Sequence, residues 1–342
     1  MQISRRHAVV AVLAWVAVFL LFVILAGPTE FVDAAAGISP ARLAAILALK
    51  LLGDVLMGLV LYTVARGAGI KIAPVAAIFL NATVTLAKRF SPFGQASGVP
   101  IGGVIVSRWT DDSFEKSTAA VSMKELVGFT PGILVFLFGG AYIVIAGQSV
   151  PTQIRSVVFV FTVGVTCIVT AATAVYYRPA PAKRLIHRLF AALNRGVARL
   201  PYLSKIDEEE VTARVDTFLE SIATVTANKP VVVAACTLRT AAVLTQALLL
   251  WLTLGGVGVT APLVLIVFII PISLLAAGLP LPGGSGGVEG VQILLLLAVA
   301  DGSQAAIITA VAISRGIIYW SPVVIGSLTL AGIGVKKRWL PG

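Results

Sequence analysis

Charge is scarce in this chain. Charged residues make up 12% of its 342 positions, while 58% are hydrophobic and the mean hydropathy is +1.00. Soluble domains carry roughly twice that share of charge, so a water-soluble globular fold is excluded. Cysteine and histidine are equally rare, two of each. Cys167 and Cys236 lie in apolar runs with no Cys or His at metal spacing, His7 is in the N-terminal tail, and His187 sits among basic residues. Neither a metal set nor a nucleophile triad can be assembled from them. The expectation is therefore a protein with no catalytic residue, no metal and no cofactor, that is, not an enzyme. Long polar stretches are lacking too. The longest, 178–230, has about fifty residues and a helical period, too little for an independent folded module.

What is present is a series of apolar runs close to the roughly 20 residues that span a bilayer as a helix. They fall at about 8–26, 43–65, 72–87, 118–146, 156–177, 231–254 and 261–279, with a very long one at 303–334. Two shorter runs, 99–106 and 291–300, follow Gly/Pro clusters. The N-terminal run could pass for a signal peptide, but Ala8–Ala26 is longer than a usual signal core, and a retained first helix is the expectation. The chain thus reads as a single integral membrane domain, 1–342.

The net charge of +11 is placed as a topology signal and not as a nucleic-acid surface. Seven Lys/Arg and no acid occur between Arg178 and Lys205; Arg5 and Arg6 open the chain, and Lys336, Lys337 and Arg338 close it. By the positive-inside rule both termini and the loop 178–230 are cytoplasmic, in a cell membrane. Within that loop, Leu185, Leu189, Leu193, Val197 and Leu200 mark one amphipathic helix. A second follows Ser204, whose spacing to Asp207 resembles a capping box, with Val211, Val215, Phe218, Leu219, Ile222 and Val225 on one face. Such helices either lie among lipid headgroups or pack on the bundle.

Helix breakers sit where membrane helices should run. The stretch 280-PLPGGSGGVEG-290 holds five glycines, two prolines and Glu289, and 91-SPFGQASGVPIGG-103 is its counterpart. At an offset of 190 residues Pro92 falls on Pro282, Gly94 on Gly284, Asp111 on Asp301 and Ser113 on Ser303. Counting crossings from a cytoplasmic N-terminus puts 107–117 inside and 301–304 outside, so the halves, about 43–177 and 230–335, read as an inverted repeat. The expected fold is all-α and polytopic, with about eight long helices and two re-entrant or broken segments. Paired interrupted segments point to a transporter's midplane site, because unpaired backbone at membrane depth needs protein or a wet cavity to cover it. Pro92, Gly94, Gln95, Gly98, Pro282, Gly283, Gly284 and Gly286 are the candidate backbone contacts for a headgroup. A half-helix N-terminus there suits a phosphate. Tight helix packing by small residues is the competing account of the glycines.

Ionisable groups in apolar runs cost roughly 2.5–3.5 kcal/mol each on insertion scales and need partners. Glu289 is the clearest, with Arg315 its first candidate partner. Lys124 and Glu125 fall on Ser314 and Arg315 at the same offset, and Lys88 and Arg89 precede the first breaker cluster. Arg315 reads as a phosphate ligand, Lys88 and Arg89 as either phosphate ligands or interfacial anchors, and Arg239 as an anchor. Lys50 and Asp54, four apart, read as a structural ion pair.

With 282-PGGSGGVE-289 and 91-SPFGQASGVP-100 in place, the chain resembles the flippase-like family named after the transmembrane region of lysylphosphatidylglycerol synthases. The resemblance runs from the first helix to Lys336. The family commonly has an acid after the first-motif glycine, where this chain has Gly98, Val99 and Pro100; at the offset of 190 Val99 falls on Glu289. The resemblance implies a multi-pass protein that moves a lipid or lipid-linked headgroup across the bilayer. The synthase activity of the family name belongs to an attached soluble domain, for which the chain has no expected room. The expected partner is a membrane lipid, either an anionic phospholipid or a polyprenyl-phosphate-linked lipid. The alternatives are a small-solute or ion-coupled secondary transporter, and a non-transporting membrane partner of a glycosyltransferase.

Overall fold

The structure is a computed structural model that describes residues 5–89, 98–134, 208–276 and 286–339, together with 163, 164, 166, 167 and 170. Eleven helices are defined among the described residues: α1 (Arg5–Ala26), α2 (Pro28–Ala36), α3 (Pro40–Gly67), α4 (Pro74–Arg89), α5 (Gly98–Thr110), α6 (Phe114–Val127), α7 (Glu208–Ala227), α8 (Lys229–Gly256), α9 (Leu263–Leu275), α10 (Gly287–Val299) and α11 (Gln304–Trp339). The only extended pairing among these residues is an isolated bridge between Thr260 and Asp301, which ties the α8–α9 turn to the α10–α11 turn. The fold is all-α and polytopic, as the hydropathy requires.

Two of these helices are built alike. α3 and α8 each have 28 residues and a proline in the first turn, where its missing N–H and fixed φ are harmless. The Ser39 hydroxyl accepts from the Arg42 N–H and the Asn228 carboxamide oxygen from the Val231 N–H, an N-cap in each case. Both helices end at a glycine with φ of +78°, Gly69 and Gly258, followed by Ile70 N–H to Ala65 C=O and Val259 N–H to Leu254 C=O. Only a residue without a Cβ takes that conformation freely. Ser39 and Asn228 are 189 residues apart, as are Gly69 and Gly258. The caps of α6 and α11, Ser113 and Ser303, are 190 apart, so the spacing between the halves shifts by one residue along the chain.

α3 lies along α8, and α4 along α11. Around this centre α3, α4, α5 and α6 pack in sequence with α6 closing on α3; α8, α9, α10 and α11 do the same with α11 closing on α8. Each group has its own apolar core. One is built on Val60, Leu61, Val64, Leu80, Val106 and Val121, the other on Leu250, Leu254, Ile266, Ile270, Leu296 and Ile307. Glycine sets the close approaches. A Cβ on Gly58 would come within 2.4 Å of Ile78 Cα, and one on Gly326 within 2.9 Å of the Ala82 carbonyl oxygen. Small residues at such crossings let membrane helices approach closely.

Among the described residues three helices are long and apolar enough to cross a membrane, α3, α8 and the first 26 residues of α11, or four if α1 and α2, bent by 93°, form one broken span. Leu43, Leu47 and Leu51 form an exposed stripe on α3, and Leu294 and Leu297 face outward from α10. Apolar side chains exposed in rows are covered by lipid tails in a membrane protein. The run 72–87 becomes α4, 16 residues long like the run itself. Two other runs give shorter helices than their hydropathy suggested, and 261–279 holds only the 13-residue α9. The run 118–146 is broken at Gly128, where α6 ends. Hydropathy registers burial in any apolar medium, so a helix enclosed by protein reads like one enclosed by lipid. The rest of the run 118–146 after 134, most of the run 156–177 and the amphipathic helix at 185–200 lie outside the described residues. The second loop helix is α7. It packs on α6, burying Val215 and Val225, so its apolar face is met by the bundle.

Candidate functional site

The charged residues flagged in the sequence come from distant segments, and the fold brings most of them to one place. A cavity of about 210 Å³ is lined from seven helices: α3, α4, α6, α8, α9, α10 and α11. Six basic side chains face it, Lys50, Lys88, Arg89, Lys124, Arg239 and Arg315, against two acidic ones, Asp54 and Glu125. Glu289, close behind Val288 of the lining, is bound to Arg315.

α4 supplies two neighbouring cations that point to different partners. Lys88 donates to Glu125, and Lys124 Nζ lies 3.4 Å from the same Glu125 Oε1. Arg239 from α8 joins this group electrostatically, while its Nη1 contacts Met57 Sδ at 2.7 Å. The next residue, Arg89, turns to α11: its Nη2 donates to the Ile318 carbonyl at 3.1 Å, and its guanidinium lies 4.3 Å from the centre of the Tyr319 ring. That distance is within reach of a cation–π attraction. Neither Arg89 nor Arg239 has an ion pair among the described residues, and the Nε of each is buried without a hydrogen-bond partner there. Lys50 and Asp54 do pair, and the second Asp54 oxygen accepts from the Ser321 hydroxyl, so the pair reaches from α3 to α11.

The start of α10 explains the acid in the second breaker cluster. Gly286 caps it at φ +92°, with open space where a Cβ would stand, and its N–H donates to Glu289 Oε2 at 2.8 Å. The other oxygen, Oε1, accepts from Arg315 Nε at 2.8 Å. One carboxylate thus satisfies an orphan N–H, complements the helix dipole and neutralises a cation. The Glu289 side chain is only 5% exposed, and Arg315 is the basic partner that such burial demands. Gln292, one turn on, donates to Ser273 and binds α10 to α9.

Of the expected backbone contacts, Pro92, Gly94, Gln95, Pro282, Gly283 and Gly284 lie outside the described residues. Gly98 begins α5, and a Cβ there would stand 2.1 Å from Lys88 Cε, so the glycine makes way for the lysine stem that reaches Glu125. One expectation is corrected and one is extended. Arg239 is no interfacial anchor: it points into the shared cavity because α8 runs along α3 through the centre of the bundle. Lys50 and Asp54 form the expected pair, and the structure adds that both line the cavity. A signal for both was available. Lys50 and Arg239 are 189 residues apart, the spacing of the α3 and α8 caps, whereas an offset of 190 puts Arg239 opposite Leu49 and hides the match. Asn81, Met57 and Gln246 also line the cavity, and nothing in their sequence context marks them.

Apolar helices of spanning length around a buried, charge-lined cavity define a polytopic α-helical membrane protein. The chain belongs to the family described as the lysylphosphatidylglycerol synthase TM region, whose sequence profile matches residues 9–326. A search of curated proteins returned no match.

Proposed function

We propose that the protein moves an anionic lipid, a phospholipid or a polyprenyl-phosphate-linked lipid, between the leaflets of the cytoplasmic membrane, without enzymatic chemistry. The observation that carries this reading is the excess of cations at the cavity, six basic side chains in its lining against two acidic ones there and Glu289 behind them, at the meeting of both halves of the bundle. Buried cations in excess repel one another unless an anion joins them, and a lipid headgroup phosphate supplies that charge. The acids hold Lys88, Lys124 and Arg315 in place, while Arg89 and Arg239 have donors to spare. The repeated caps of α3 and α8 support an inverted repeat whose halves rock about the site, the usual architecture of alternating access. Both termini and 178–230 are assigned to the cytoplasm on the Lys/Arg distribution.

Purified protein in liposomes is expected to accelerate transbilayer movement of a phosphate-bearing lipid, read by dithionite or periodate accessibility. Rates equal to empty liposomes for phospholipids and polyprenyl phosphates alike would remove the proposal. Single cysteines at Ser204 and Ser303, in a Cys-free background, should react with an impermeant thiol reagent from opposite sides. Labelling from one side would remove the inverted repeat.

A further inference from the structure

The cations of the cavity form two groups. Lys88, Lys124 and Arg239 gather at Glu125. Arg89 and Arg315 gather beside Glu289 and Tyr319, with Lys50 and Asp54 next to them. The division crosses the chain in a regular way. Arg239 belongs to α8 yet faces α3 and α6 through Met57 and Glu125, while Arg89 belongs to α4 yet faces α11 through Ile318 and Tyr319. Each half therefore lends the other a guanidinium that has no carboxylate partner among the described residues and carries an unpartnered, buried Nε.

The groups are neighbours, since Lys88 and Arg89 are consecutive on α4 and their side chains diverge by about 100° around the helix. The cavity of about 210 Å³ joins them. At about 30 Å³ per water, it holds several waters' worth of ligand, more than one phosphoryl group displaces. A single phosphate seated in one group leaves the guanidinium of the other without an anion, at low dielectric, where an unpaired charge is costly.

From this arrangement we infer that the cavity has two phosphoryl subsites, Arg239 serving one and Arg89 the other, and that its ligand is the headgroup of a lipid diphosphate. The inference rests on the reading that the cavity receives a lipid headgroup. Guanidinium groups suit such a ligand because their planar fork donates two parallel hydrogen bonds to a phosphoryl group.

The test is calorimetric binding of inorganic pyrophosphate and orthophosphate to the full-length protein in detergent, at matched ionic strength. Pyrophosphate is expected to bind at least about tenfold more tightly than orthophosphate. Arg239→Gln and Arg89→Gln should each raise the pyrophosphate Kd about tenfold while changing that of orthophosphate by less than about threefold, because one subsite survives. Arg239→Lys and Arg89→Lys keep the charge and should fall between. Equal affinity of the wild type for both anions, or parallel loss of both in each variant, overturns the two subsites and leaves a single phosphate site, so the headgroup reading survives. Failure of the wild type to bind either anion overturns both. In liposomes, a polyprenyl diphosphate should cross several-fold faster than the monophosphate, whereas uptake of free pyrophosphate without lipid movement overturns the lipid assignment.

Discussion

Lys50 and Arg239 stand at the same place on two like helices, each eleven residues past its N-cap, Ser39 or Asn228. Lys50 has Asp54 one turn on; Arg239 has Val243 there, and depends on Glu125 of another helix for its nearest acid. The next pair of positions diverges further. Glu125 of α6 and Arg315 of α11 are 190 residues apart, the spacing of the caps Ser113 and Ser303, and they carry opposite charges. The backbone plan recurs while the charges do not, so the cavity is asymmetric within a symmetric frame.

The two acids make the sharpest contrast. Glu289 is 5% exposed and holds one cation plus its own helix cap; Glu125 is 36% exposed and shares Lys88 and Lys124. Breaking a buried pair strands the remaining charge, so Arg315→Gln should cost about 3–5 kcal/mol of stability. Thermal unfolding in detergent measures it. A loss below about 1 kcal/mol would mean that Glu289 finds other solvation.

Packing positions come next. Gly58→Ala drives a Cβ to 2.4 Å from Ile78 Cα. Backbone must move to admit it, at about 1–3 kcal/mol. The same assay checks this, and an unchanged midpoint would show that α3 and α4 can separate freely. Glu125→Gln should cost less stability than Arg315→Gln, about 1–2 kcal/mol, because its carboxylate is partly open to water. Its transport rate should nevertheless fall in the liposome assay. Equal stability losses in the two variants would erase the contrast between the acids.

The smallest effect is expected at Gly290, where nothing lies within 4 Å of an added Cβ. Gly290→Ala should leave stability unchanged or raise it by up to about 1 kcal/mol, through helix propensity. A transport defect with intact folding would place that open space on the lipid's route.

Sequence alone reached a good part of this. The runs 43–65 and 231–254 lie within α3 and α8, because continuous hydrophobicity bounded by caps leaves a helix no other choice. Arg315 was legible as the partner of Glu289, since a buried acid needs a cation and few were on offer. α7 was legible as amphipathic, but its period could not say whether lipid or α6 would cover the apolar face. The length of α9 was also out of reach, because a hydropathy scan does not distinguish enclosure by protein from enclosure by lipid.

Composition and periodicity thus determined that the chain is an all-α membrane protein, where its breakers fall and which charges need an explanation. These are properties of residues and near neighbours, and they survive without knowledge of the fold. Only the tertiary structure decided that Lys50, Arg89, Arg239 and Arg315, spread over more than 260 residues, share one cavity. It also decided that Arg239 faces inward. A helix's sequence says that a cation is present on it, but the direction in which that cation points depends on the neighbour the helix packs against. For α8 that neighbour is α3, some 190 residues away, held by close contacts such as Gly53 on Thr245.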